Sequence, residues 1–118
     1  MLRTILICDD NAATLYLYKK ILQKSNYVIN TCQRAENLFS CIEEETPDLM
    51  ILDLSMVGLG GESAVMMLKN DLRYANIPII IASGRPDIKE IAERVKADAY
   101  LEKTADFDEL INLVDSFL

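Results

Sequence analysis

Five short apolar segments recur along the chain, and each is followed by a segment with helical spacing. The predicted strands run from Thr4 to Cys8, Tyr27 to Cys32, Leu49 to Leu52, Ile77 to Ala82 and Ala99 to Leu101. Most are nearly continuous in Ile, Leu and Val, as is typical of strands buried on both faces. Their shortness favours strands over buried helices.

The segments between these strands place apolar residues three and four positions apart, which predicts amphipathic helices. Three stripes are Ala35, Leu38, Phe39 and Ile42; Ile88, Ile91, Ala92 and Val95; and Phe107, Leu110, Ile111 and Val114. Two more are Leu15, Tyr18 and Leu22 in helix 1, and Val65, Leu68 and Leu72 in helix 3. Asn11 and Asp106 are predicted helix caps, and Pro86 suits the first turn of helix 4.

The strict alternation of strand and helix predicts a parallel sheet covered by helices on both faces. We therefore predict an α/β, flavodoxin-like, doubly wound sheet of five strands in the order 2-1-3-4-5, with five helices. Residues 1–118 are expected to form one domain, which is long enough to bury a core of its own. A mixed or split α/β sheet is the alternative.

The composition excludes several kinds of chemistry and of partner. The chain has 12 Lys+Arg against 19 Asp+Glu, a net charge of −7, so we expect no direct binding of nucleic acid. It contains no histidine, which excludes Ser-His-Asp triads, histidine bases and histidine-ligated zinc. The three cysteines, Cys8, Cys32 and Cys41, form no CxxC motif and predict reduced, buried thiols in a cytoplasmic protein. No apolar run has the length for membrane insertion.

Polar residues follow four of the predicted strands, at the sheet edge where ligands bind in such folds. They are Asp9 and Asp10 after strand 1, Asp53 after strand 3, Ser83 and Gly84 after strand 4, and Glu102 and Lys103 after strand 5. Three carboxylates at one edge repel one another, and a hard cation such as Mg²⁺ relieves that repulsion. The same ion organises a phosphoryl group, whose other oxygens a lysine and a hydroxyl can bind. Each residue alone is also an ordinary turn or surface residue, so the prediction depends on their joint occurrence.

These motifs resemble the receiver domains of two-component response regulators, including the single-domain chemotaxis-type regulators. The resemblance runs from Arg3 to about Phe117 and includes Tyr100, which stands three residues before Lys103. It implies that Asp53 is the phosphoacceptor, which takes a phosphoryl group from a partner's phosphohistidine.

The resemblance also implies a Mg²⁺ site and a switch. Its implied metal ligands are Asp10 directly, Asp9 through water, the Asp53 carboxylate and the Ser55 backbone carbonyl. Its implied phosphoryl-binding groups are Lys103, the Ser83 hydroxyl and the Gly84 backbone. Ser83 and Tyr100 would then shift together and change the surface formed by helix 4, strand 5 and helix 5.

The partners implied by the resemblance are a histidine kinase or a histidine phosphotransfer protein upstream, and an unknown protein target downstream. The domain would act as a signalling phosphoacceptor and not as an enzyme, apart from promoting its own phosphorylation and dephosphorylation. Two alternatives remain open: a phosphohydrolase of the haloacid dehalogenase type that uses Asp53, and a pseudo-receiver that acts only as a docking module. The first places a second Asp two residues after its nucleophile, where this chain has Ser55.

Two positions depart from the family pattern. Thr104 follows Lys103 where the family commonly has proline, and a cis peptide bond at a non-proline residue costs about 3 kcal/mol. Val57 replaces the proline of the loop after Asp53. In the same loop, the small Ser55 side chain leaves the approach to Asp53 open. This predicts that water reaches the phosphorylated Asp53 readily and that the phosphoryl group is lost by hydrolysis.

Overall fold

The computed structural model describes residues 2–56, 60–103 and 105–118. Five strands form one sheet in the order β2-β1-β3-β4-β5, and every neighbouring pair is parallel. The strands are β1 (Thr4–Cys8), β2 (Val28–Cys32), β3 (Leu49–Asp53), β4 (Ile79–Ser83) and β5 (Ala99–Glu102). The predicted fold class and strand order are therefore confirmed, and the mixed or split sheet is excluded.

A helix follows each strand. The helices are α1 (Ala12–Gln23), α2 (Leu38–Glu44), α3 (Gly61–Lys69), α4 (Ile88–Val95) and α5 (Phe107–Phe117), and a 3₁₀ turn, Ala35–Asn37, precedes α2. Both predicted caps are present, since the Thr14 N–H donates to the Asn11 side chain and the Glu109 N–H donates to the Asp106 side chain. These caps begin α1 and α5, which follow β1 and β5 along the chain.

The sheet divides the core into two layers because alternate strand residues point to opposite faces. One layer joins residues such as Leu6 and Met50 to the apolar faces of α2, α3 and α4. The other joins residues such as Ile5 and Ile51 to α1 and α5. The central strands β1 and β3 are buried along their whole length, which explains their continuous apolar sequences.

Two sequence predictions about the helices are wrong. Helix α3 ends at Lys69, and Leu72 lies in a turn with its side chain 97% exposed. The Asp71 carboxylate accepts a hydrogen bond from the Arg73 N–H, and such a local bond competes with helix continuation. Helix α4 begins at Ile88, so Pro86 lies before the helix and not in its first turn.

The cysteine thiols are free, as predicted, but only Cys8 and Cys32 are buried, whereas Cys41 is half-buried. Within the described ranges, every helix is too short or too polar to cross a membrane. The predictions that concern Val57 and Thr104 fall on residues outside the described ranges.

Candidate functional site

Three carboxylates meet at the carboxyl edge of the sheet. Asp9 follows β1 and Asp53 ends β3, and these neighbouring strands pair so that Cys8 lies opposite Leu52. One carboxylate oxygen from each of Asp9, Asp10 and Asp53 lies within 4.8 Å of the other two. Asp53 is 1% exposed and Asp9 is 2% exposed, whereas Asp10 is exposed to solvent. The register of the two central strands therefore creates the predicted acidic cluster.

Lys103 places its ammonium group between the two buried carboxylates. Its Nζ donates to Asp9 Oδ2 at 3.0 Å and lies 3.2 Å from Asp53 Oδ1. The Lys103 backbone N–H donates to the Ser83 carbonyl at 3.0 Å, which extends the pairing of β5 with β4 up to the site. Burial alone would lower the pKa of Lys103, but the hydrogen bonds and charges of Asp9 and Asp53 outweigh it and raise the pKa.

The pKa of Asp9 is raised despite its contact with Lys103. Burial raises its pKa, and the nearby Asp53 charge raises it further. The Asn11 N–H, which donates to Asp9 Oδ1 at 2.9 Å, and Lys103 lower the pKa without cancelling the effect of burial. An additional cation at this edge would therefore be favourable.

Ser55 makes a contact that sequence reasoning did not predict. Its hydroxyl donates to the Asp53 carboxylate, at 3.1 Å from Oδ1 and 3.0 Å from Oδ2, and its backbone N–H donates to Oδ1 at 3.2 Å. The sequence predicted a metal-binding backbone carbonyl and an unobstructive side chain for Ser55, but not this hydroxyl contact. The Asp-x-Ser spacing in a turn is a weak signal for this contact, because short polar side chains often bond to groups two residues away.

The remaining predicted site residues lie around this cluster. Ser83 is buried at the end of β4, and its Oγ accepts a hydrogen bond from the Arg85 N–H at 3.0 Å. Gly84 is exposed and has open space on the side where a side chain would be. Tyr100 lies on the edge strand β5 with its side chain 37% exposed, so it is outside the site in this conformation.

The donor set of the cluster fits a hard divalent cation. All three side-chain donors are carboxylate oxygens, and Mg²⁺ in proteins prefers one or two carboxylates together with carbonyl oxygens and water. Burial, followed by the charge of Asp53, raises the pKa of Asp9, and a bound cation would favour the ionised form of this carboxylate. The residues that could hold it are Asp9, Asp10, Asp53 and the Ser55 carbonyl.

Comparison with known proteins identifies the family to which this fold and site belong. The response regulator receiver domain family model matches residues 5–115, and the chain belongs to that family. Protein PilH of Pseudomonas aeruginosa is 28% identical over 116 residues, which cover 97% of this chain and 96% of PilH. The phosphate regulon transcriptional regulatory protein PhoB of the same species is 32% identical over 111 residues, which cover 92% of this chain but 48% of PhoB.

Solved structures agree with this assignment. The signal receiver domain of a response regulator from Bermanella marisrubri superposes with a TM-score of 0.88 at 26% identity, covering 99% of this chain and 98% of that chain. The chemotaxis response regulator CheY4 of Vibrio cholerae shares the fold, with a TM-score of 0.91 at 20% identity over the full length of both chains. The protein is thus a receiver domain of two-component signalling.

Proposed function

We propose that Asp53 accepts a phosphoryl group from a phosphohistidine on a partner protein, in a reaction that requires Mg²⁺. The observation that carries this proposal is the pairing of a buried Asp53 carboxylate with the Lys103 ammonium, beside the carboxylates of Asp9 and Asp10. A buried carboxylate that a lysine holds in place is positioned to act as a nucleophile.

In the proposed reaction, an oxygen of Asp53 forms a bond to phosphorus while the bond from phosphorus to the imidazole nitrogen breaks. The electron pair of the broken bond leaves with the partner's imidazole. Lys103 lies within 3.2 Å of the nucleophile and pairs with the negative oxygens of the transferred group. Mg²⁺ bound at the acidic cluster supplies further positive charge there.

The phosphorylated state is proposed to change the surface beside β5. The Ser83 hydroxyl, which now accepts from the Arg85 N–H, would rotate to donate to a phosphoryl oxygen, and the Gly84 N–H would add a second donor. Tyr100 would move inward from its exposed position, and the surface of α4, β5 and α5 would change with it.

The phosphodonor histidine lies outside these 118 residues, because they contain no histidine. A histidine kinase or a histidine phosphotransfer protein is the proposed upstream partner. One relative, CqsS of Vibrio cholerae, is itself named a sensor kinase/phosphatase, and this chain spans 17% of it. The downstream partner is proposed to be a protein, since the net charge of −7 opposes nucleic-acid binding.

The two alternatives have less support than the phosphoacceptor. The phosphohydrolase requires a general acid two residues after its nucleophile, and the corresponding residue, Ser55, donates hydrogen bonds to Asp53 but has no acidic proton to give. The docking-only pseudo-receiver is disfavoured because the residues of the phosphorylation site are present and lie together.

Mass spectrometry of the intact chain tests the proposal. After incubation with Mg²⁺ and a small acyl phosphate, we expect a species heavier by about 80 Da, the mass of one phosphoryl group. The species should be absent in Asp53→Asn and unchanged in Asp108→Asn, a matched substitution on the exposed surface of α5. Rapid hydrolysis of phosphomonoesters would support the phosphohydrolase, and no modification of the wild type would support the pseudo-receiver.

A further inference from the structure

Gly61, the first residue of α3, packs directly against the backbone that carries Asp53. A Cβ atom built on Gly61 would lie 2.4 Å from Leu54 Cα and 2.7 Å from the Asp53 carbonyl oxygen. Both distances are far below van der Waals contact, and the atoms met are backbone atoms, which cannot rotate away as a side chain does. Only glycine allows α3 to approach the strand this closely.

The segment on the other side of this contact has little freedom to move. Asp53 is the last residue of the central strand β3, and the Leu54 N–H donates to the Ala82 carbonyl of β4 at 3.1 Å. The Gly61 N–H in turn donates to the Leu54 carbonyl at 3.3 Å. The start of α3 and the end of β3 are thus joined by a hydrogen bond as well as by close packing.

Helix α3 is also held in place by its packing in the core. Its residues Ala64, Val65 and Leu68 are fully buried in the layer of the core that it shares with α2 and α4. A side chain at position 61 would therefore force a shift either of this packed helix or of the peptide between Asp53 and Leu54.

We propose that Gly61 is a positioning residue for the phosphorylation site: its bare Cα lets the start of α3 hold the Asp53–Leu54 peptide in place. That peptide fixes the Asp53 carboxylate, which lies 3.2 Å from Lys103, and leads directly into Ser55, whose carbonyl belongs to the proposed metal ligands. A displacement here would misplace two proposed metal ligands, Asp53 and Ser55, of which Asp53 is also the proposed nucleophile. The inference rests on the proposed function for the Mg²⁺ site and for its consequence on phosphoryl transfer.

Gly61→Ala tests this role, with Val65→Ala as the matched control. Val65→Ala removes methyl groups from the buried face of the same helix but adds no atom against Asp53 and Leu54. We expect both variants to melt at lower temperature. In Gly61→Ala alone, we expect Mg²⁺ binding, measured calorimetrically on the unphosphorylated chain, to weaken by about tenfold or more. Phosphorylation by an acyl phosphate should also slow by up to about a hundredfold.

Wild-type affinity and rate in a folded Gly61→Ala variant would overturn the proposal, and so would equal losses in Val65→Ala, which would indicate general loosening. If Gly61→Ala does not fold, an amide NMR titration of the wild type with Mg²⁺ decides instead. The Gly61 amide signal should then shift while that of Asn70, beyond the other end of α3, stays in place. A stationary Gly61 signal contradicts the inference.

The failure of the proposed function is distinguishable from the failure of this inference. A wild type that binds Mg²⁺ but accepts no phosphoryl group removes the proposed function, and the comparison of Mg²⁺ affinities still decides the role of Gly61. A wild type that binds no Mg²⁺ overturns both.

Discussion

Lys103→Met removes the cation that compensates two buried carboxylates. The ammonium lies 3.0 Å from Asp9 and 3.2 Å from Asp53, and both carboxylates are buried. Each attraction is about 5 kcal/mol at an effective dielectric constant of about 20, before the cost of desolvation is subtracted. Removing one partner of a buried pair typically costs about 3–5 kcal/mol. Because the Lys103 side chain keeps 27% of its surface exposed, we expect the lower end of that range, about 3 kcal/mol.

Urea unfolding in Mg²⁺-free buffer near pH 7 measures this loss of stability. Lys89→Met, at an exposed position of α4, is the control, and we expect it to change the free energy of unfolding by less than about 0.5 kcal/mol. Saturating Mg²⁺ should reduce the deficit of Lys103→Met, since a divalent cation replaces part of the lost charge. Stability equal to that of the wild type, or a deficit that Mg²⁺ leaves unchanged, would refute the charge argument.

Three further predictions concern single residues. Ser55→Lys should slow the loss of the phosphoryl group from Asp53 by blocking the approach of water. Ser55→Ala, which removes only the hydroxyl contact, should not slow it. Mass spectrometry measures the decay, and equal decay rates in the wild type and Ser55→Lys would contradict this prediction. Lys96 adopts φ 63° at the end of α4, so Lys96→Gly should raise stability by about 1 kcal/mol in thermal unfolding, and a lower melting temperature would be the opposite result. Burial and the hydrogen bond to Asp115 raise the pKa of Tyr27 from its ordinary value near 10 to about 12. The stability from this bond is therefore complete below pH 10 and lost as the pH rises through 12. Tyr27→Phe should lower the free energy of unfolding by about 1 kcal/mol at pH 8 and by much less at pH 12. A loss of stability that does not depend on pH would argue against the bond.

The sequence was sufficient to predict the fold and the acidic cluster because both follow from short-range patterns. Parallel strands end at the same edge of a sheet, so polar residues that directly follow apolar runs must meet there. Asp53 was recognisable because it is an acidic residue within an apolar segment, and Asn11 because its side chain serves the helix that begins after it. Periodicity and local capping carry all of this information.

The parts of the structure that sequence patterns missed depend on contacts that the patterns do not encode. Leu72 continues the helical spacing of α3, but the Asp71 carboxylate closes a turn with Arg73 instead. The hydrogen bond from the Ser55 hydroxyl to Asp53 depends on the conformation of the turn between the two residues. The close approach of α3 to β3 depends on tertiary packing, and the sequence alone does not distinguish Gly61 from the neighbouring Gly58 and Gly60.

The electrostatics of the site also connect the proposed chemistry to the proposed switch. Lys103 pairs with the carboxylates of Asp9 and Asp53, and with Asp10 beside them the acidic cluster keeps an excess of negative charge. The proposed phosphorylation of Asp53 would increase that excess, since a phosphoryl group carries a charge of about −2 where a carboxylate carries −1. The attraction on Lys103 would then grow toward Asp53 at the expense of Asp9. The Lys103 N–H donates to β4, and Lys103 directly follows the strand that bears Tyr100, so this redistribution of charge would act on the backbone of β5. We therefore propose that Lys103 also links the acidic site to the surface of α4, β5 and α5.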